Sequence, residues 1–197
     1  MKTMITEISI TLPDWVKLEI EKIPSSIPLL IDRIHFVIKL SRLNVEHGTG
    51  GPFAAAVFEK ESGRIISVGV NRVTPLNLSA LHAEIVALSM AQKKLETYDL
   101  GGAGIPPMQL VVNWRPCVMC YGAVLWSGVR SLVIAGSGPE LESITGFDEG
   151  PMHPEWRREL MERGVELIEG GETEAVCKVF NDYMKRGLPV YNGRTGC

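Results

Sequence analysis

Two short runs constrain this chain more than anything else in it: His82-Ala83-Glu84 and, further along, Pro116-Cys117-Val118-Met119-Cys120. One imidazole and two thiols are ligand types that Zn²⁺ takes in tetrahedral sites. Four protein ligands make a structural site, whereas three with an open position make a catalytic one. His82, Cys117 and Cys120 supply three. Glu84, two residues from His82, would point away from it along a continuous helix. Both reach one site only if the segment is the first turn of a helix, with the side chains leaning beyond its end. Cys117 and Cys120, three apart, share a helix face, and Pro116 suits a first helical position. The partial positive charge of a helix N-terminus favours thiolate over thiol. The runs therefore predict two helix starts converging on one metal, with Glu84 an acid–base group beside the metal's water. Taken alone, a CxxC pair fits a redox or an inert pair as well; the ordered combination points to the metal.

The remaining sequence predicts one α/β domain. Strands are expected at Ala54–Glu59 and Arg64–Val70, a hairpin around Glu61-Ser62-Gly63, then at Met108–Trp114, Ser131–Ala135 and Val165–Ile168. Helices are expected over Leu29–His47, over a stripe of Leu81, Ile85, Leu88, Ala91 and Leu95 with Ser79 as N-cap, and from Pro116 to Trp126. Three more follow at Pro139–Ile144, Glu155–Arg163 and Glu172–Arg186. Such alternation indicates layers around one mixed sheet. Residues 1–28 read as an extension, with a short strand where Ile8, Ile10 and Leu12 alternate with polar neighbours, and 72–79 as irregular. His35 and His47 read as packing or surface residues. Residues 29–186 form the expected domain and 187–197 a tail holding Tyr191, Asn192 and Arg194.

A net charge of −3 gives no support to non-specific nucleic-acid binding, which needs a basic surplus. The four cysteines, 117, 120, 177 and 197, do not form a disulfide framework, and the reading is a reducing cytoplasm. No run reads as a signal peptide or membrane span.

The order H-x-E…P-C-x-x-C is the signature of zinc-dependent base deaminases, and the chain resembles the cytidine-deaminase superfamily. More closely, Gly51-Pro52-Phe53, Asn71, His82-Ala83-Glu84, Pro116–Cys120, Trp126 and Gly146-Phe147-Asp148-Glu149 resemble the bacterial guanine deaminases in order and rough spacing, over about residues 30–190. The resemblance implies a three-layer α/β/α fold with a central mixed five-stranded sheet, one Zn²⁺ and hydrolysis of a free nucleobase. It implies that Asn71 anchors the base, that Phe53 and Trp126 wall it, and that Glu149 assists Glu84 in proton transfer. Ala83, Asp148 and Tyr191 join the substrate contacts. The family forms domain-swapped dimers, so a homodimer is implied, with the tail over its own or its partner's site. Arg115 and Val118 depart from the family, which usually has an acidic residue and a proline there.

Other readings stay open at this point. A tRNA adenosine deaminase shares the zinc motif but must bind a polyanion. A cytosine or nucleoside deaminase fits the Gly-Phe-Asp-Glu segment less well. Aminated triazines present the same N–C(NH₂)–N edge as guanine. A non-catalytic zinc-binding interaction module would have no use for Glu84.

Overall fold

The computed structural model describes residues 4–193. In chain order its elements are α1 (Asp14–Glu21), α2 (Leu30–Glu46), β1 (Ala54–Glu59), β2 (Ile65–Val70), α3 (Val73–Leu76), α4 (Ala83–Leu95) and β3 (Met108–Trp114). There follow α5 (Val118–Ser127), β4 (Ser131–Gly136), α6 (Glu140–Thr145), α7 (Trp156–Glu162), β5 (Glu166–Glu169) and α8 (Thr173–Lys185).

The strands form one mixed sheet in the order β2-β1-β3-β4-β5. β1 runs antiparallel to β2 and to β3, whereas β3, β4 and β5 are mutually parallel. Side chains of β1 and β3 are buried on both faces, the pattern of strands covered on both sides. Their period of two sorts them into two cores. Ala54, Ala56, Phe58, Val111 and Val133 pack with Ile34, Val37 and Leu40 of α2 and Phe180 of α8. Ala55, Val57, Leu110, Val112 and Leu132 pack with Ala87, Leu88 and Ala91 of α4, Val124 of α5 and Leu160 of α7. The result is the expected three-layer α/β/α arrangement.

One close approach sets the position of the site. A Cβ on Gly69 of β2 would lie 2.2 Å from the Ala83 carbonyl oxygen and 2.5 Å from the Ala87 nitrogen. Only glycine lets the first turn of α4 sit this deep on the sheet.

Several local expectations are corrected. Residues 8–12 form no strand, and Ile8 is 71% exposed. Alternation needs a neighbouring strand to become one, and what the extension forms instead is α1, with Trp15 and Val16 buried. Val73–Leu76 is a short helix inside the stretch read as irregular. The N-cap of α4 is His82, not Ser79. Its buried residues are Ala83, Glu84, Val86, Ala87, Leu88 and Ala91, while Ile85 and Leu95 are half-buried. Likewise Cys117 caps α5 and Pro116 precedes the cap.

Arg33 is 3% exposed. Its guanidinium donates to the carbonyls of Ile27 (2.7 Å), Pro28 (3.0 Å) and Lys60 (2.9 Å) and to Gln109 Oε1 (2.8 Å). It thereby ties the end of the extension to the hairpin, and the Ile65 N–H to Ser25 carbonyl bond does the same along the edge of β2.

Candidate metal and substrate site

His82 and Cys117 are both N-caps, with extended backbone that turns their side chains off the helix ends, and Cys120 lies in the first turn of α5. The ligand atoms of His82, Cys117 and Cys120 all fall within 4.8 Å of one another. Cys117 Sγ is 3.4 Å from His82 Nδ1. Both cysteines are buried and unbridged. One nitrogen and two sulfurs at this separation suit the donor preference of Zn²⁺ and leave a position for a fourth ligand.

The electrostatics of the bare cluster show what it is built to hold. The hydrogen bond from Cys120 is the main reason the Cys117 thiol is pulled down to about 4, with His82 adding to it against burial. Cys120 is pushed up by that same hydrogen bond and by burial. Burial pushes the His82 imidazole down, but the hydrogen bond to Cys117 and the nearby negative charges outweigh it and leave it raised. Glu84, 8% exposed, is pushed up to about 7 by burial and then by the Cys117 charge. Glu149, 7% exposed, goes up to about 8 by burial and by the charges of Cys117 and Glu84, against Arg115 and His82. Four acidic groups crowded in one buried place hold protons that a divalent ion there would displace, drawing both carboxyls back towards ionisation.

Over this cluster opens a cavity of about 260 Å³, near the lower end for small-ligand sites. His82, Glu84, Cys117 and Glu149 line it together with Phe53, Asp148 and Tyr191. Phe147, a lining residue to which the sequence reading gave no site role, packs its ring edgewise against Phe53 (5.3 Å) and Tyr191 (5.0 Å). Glu149 is held near the cysteines because its carbonyl accepts from Val118 N–H at 3.1 Å. Asp148 is exposed, its Oδ1 taken by the Gly150 N–H at 2.7 Å.

Asn71, fully buried, stands behind Tyr191. Its Oδ1 accepts from the backbone N–H of Gly51 (3.3 Å) and of Val73 (3.2 Å). The amide NH₂ is therefore the end turned inwards, and it donates to the Tyr191 hydroxyl. The described part of the tail folds back over its own chain's pocket rather than reaching away. Gly187 turns it with φ of 63°, Tyr183 OH donates to the Pro189 carbonyl at 2.6 Å, and Asn192 brackets the loop through Asp148 N–H and the Gly146 carbonyl. Residues 194–197, with Arg194 and Cys197, lie outside the described residues, as do 1–3.

Three expected contacts are not in the cavity wall: Asn71, which reaches it only through the Tyr191 hydroxyl, and two that fall elsewhere. Trp126 is 89% exposed, because its place late in α5 is on the solvent side, with Ser89 and Gln92 of α4 beside it. Ala83 is buried on the sheet side of α4, under Gly69, and is not a wall of the cavity. Asn113 and Arg115 line it without having been singled out as site residues. Asn113 had a readable signal, a polar residue following the apolar run Leu110-Val111-Val112 of β3.

Residues 34–136 match the cytidine and deoxycytidylate deaminase zinc-binding region. A guanine deaminase of Bacillus subtilis is 31% identical over 137 residues, 70% of this chain and 83% of that protein. The solved guanine deaminase of Nitrosomonas europaea is 44% identical, with a TM-score of 0.85 over 92% of this chain and 98% of that one. A solved chain in complex with 2,6-diaminopurine is 45% identical, with a TM-score of 0.85 over 94% of this chain and 97% of its own.

Proposed function

From the premise that this chain belongs to the guanine deaminases of the cytidine and deoxycytidylate deaminase zinc-binding family, we propose that its cavity takes free guanine and that the residues below divide the work. The chain is a zinc-dependent hydrolytic deaminase of nucleobases. Guanine plus water gives xanthine plus ammonia. The observation that carries the reading is a buried glutamate, Glu84, lining the same small cavity as His82 and Cys117 of the three-donor cluster, with the Asn71 amide behind Tyr191.

His82, Cys117 and Cys120 would hold the zinc, which would supply there a water of lowered pKa as the nucleophile at neutral pH. Glu84 accepts a proton from the attacking water and hands it to the ring nitrogen beside the amino-bearing carbon. Glu149, buried against the same cluster, supplies a proton to the departing amine, which Glu84 reaches poorly, and is reprotonated by the second proton of the water as the new carbonyl forms. Asn71, its oxygen committed to backbone donors, presents N–H to an acceptor of the base, and the Tyr191 hydroxyl holds that acceptor's place until substrate arrives. Phe53 and Phe147 give the ring an apolar wall, and Tyr191 covers it and excludes water. A cavity of this size suits a base better than an anticodon loop, which agrees with the net charge of −3.

The test is ammonia release from a panel of guanine, 2,6-diaminopurine, an aminated triazine, adenine, cytosine and cytidine, with inosine formation in tRNA measured alongside. Guanine should be the best substrate and tRNA inert. Efficient turnover of cytidine with none of guanine would overturn the assignment.

We also propose a homodimer that works in the cytoplasm. α5 is apolar nearly all round, yet Val118 (39%), Met119 (37%) and Trp126 (89%) are exposed. An apolar helix with an uncovered face suits burial against a second copy. Trp126→Asp should shift sedimentation from dimer to monomer; a wild-type profile would rule out this face. Unbridged cysteines suit a reducing compartment, and among the described residues no helix is long and apolar enough to cross a membrane.

A further inference from the structure

We propose that the N-terminal extension belongs to the substrate site at one remove: Trp15 positions Asn71 through Thr49 and Asn44. The inference rests on the reading of Asn71 as the group that anchors the base.

The connection is a line of hydrogen bonds from the outside inwards. Trp15 Nε1 donates to Thr49 Oγ1 at 2.9 Å. Thr49 Oγ1 donates to Asn44 Oδ1 at 2.7 Å. Asn44 Nδ2 donates to the Gly51 carbonyl at 2.8 Å and to the Asn71 carbonyl at 3.1 Å. Gly51 N–H in turn bonds Asn71 Oδ1. Asn44 and Asn71 are both fully buried.

Donor counting gives this line a direction. An indole N–H can only donate, so it takes a lone pair of the Thr49 hydroxyl. The hydroxyl has a single proton, and with the indole seated on its lone pair that proton goes to Asn44 Oδ1. The Asn44 amide is then fixed with its NH₂ towards Gly51 and Asn71. The backbone N–H groups of Gly51 and Val73 then fix the Asn71 amide, oxygen to the backbone and NH₂ towards the substrate. Each link decides the orientation of the next, and the first link lies in α1.

Two further contacts hold the loop between them. Arg72 donates to the carbonyls of Thr49 (2.5 Å) and of Thr11 (3.2 Å) and so ties the loop to the extension a second time. The Trp15 ring stacks on His47, with centroids 5.3 Å apart and planes 8° from parallel. Gly50, at φ 154°, passes so near that a Cβ there would be 1.9 Å from the Asn71 carbonyl oxygen. The loop is thus seated directly on the strand end that carries Asn71, and the extension is what holds it down.

Trp15→Phe keeps a ring against His47 and removes only the N–H. We expect KM for guanine to rise about threefold to tenfold, the range of one lost buried hydrogen bond, with kcat changed by less than about twofold, as for loss of binding common to ground and transition states. Thr49→Val should reproduce that loss, and Thr49→Ser, which restores the hydroxyl, should return KM to within about twofold of wild type. Zinc content should stay the same in all three. Asn71→Ala should raise KM further, and in that background Trp15→Phe should add nothing, the signature of action through Asn71. If Asn71→Ala raises KM while Trp15→Phe and Thr49→Val leave it at the wild-type value, only the relay falls, even if their melting temperatures drop. Effects of Trp15→Phe and Asn71→Ala that multiply would overturn it too. An Asn71→Ala protein with wild-type KM would overturn the anchor itself, and the relay with it.

Discussion

Glu84→Gln should keep zinc at its wild-type content and lose about 10²–10⁴-fold in turnover of guanine, the usual range for removing a positioned general acid–base group. The reasoning begins with space. Glu84 is 8% exposed in the first turn of α4, and glutamine has nearly its shape, so packing is preserved. Zinc is left its nitrogen and two sulfurs, because Glu84 is not one of the three clustered donors. What goes is the capacity to accept a proton and pass it on. Stability supplies a control of known sign. In the metal-free protein the folded-state pKa of Glu84 is raised to about 7 from 4.5. A carboxyl with a raised pKa holds its proton more tightly folded than unfolded, so stability falls as pH rises from about 4.5 to 7, and the deficit persists above. Glutamine does not ionise, so the metal-free variant should melt no lower than metal-free wild type at pH 7 and above. A variant with full zinc, unchanged melting and near-normal turnover would mean that protons travel by another route.

The site was legible in the sequence where chemistry and local structure coincide. His82, Glu84, Cys117 and Cys120 are rare as a set, and the requirement that Glu84 and His82 face one point already demanded a helix start. The strands were legible because β1 and β3 are short apolar runs bounded by turn residues. Residues whose meaning depends on distant partners were harder to read. Trp126 lies late in α5, and whether that face meets a cavity or solvent depends on how α5 packs beside α4, which spacing does not encode. The extension's alternating Ile8, Ile10 and Leu12 looked like a strand because period two was read without a pairing partner, while α1 next to it was missed. Asn44 carried a signal that went unused: it falls on the buried stripe of α2, after Leu40 and Ser41, where an amide must find partners. Those partners, Thr49, Gly51 and Asn71, lie across loops and strands, so the sequence could show that Asn44 was in debt for hydrogen bonds but not to whom.

Cys120→Ala should lose the metal, and with it all turnover above background. Cys120 is fully buried and contributes one of three donors that converge within 4.8 Å. Alanine leaves one nitrogen and one sulfur, too few to hold Zn²⁺ against solvent in a site that needs three protein ligands. Zinc content should fall from about one per chain to a small fraction of that. A second readout is independent of catalysis. Metal that binds only the folded chain raises its stability, by about 2.7 kcal/mol at a hundredfold the Kd. For a domain of this size that corresponds to about 5–10 °C in Tm. Added zinc should therefore raise the melting temperature of chelator-stripped wild type and leave Cys120→Ala unmoved. Cys177→Ala is the matched control. Cys177 is a half-buried thiol of α8 outside the cluster, so its loss should leave zinc content, the zinc-dependent rise in Tm and turnover as they are. Stoichiometric zinc in Cys120→Ala, or a zinc-dependent rise in Tm equal to that of wild type, would place the metal on other donors and remove the premise on which the roles of Glu84 and Glu149 depend.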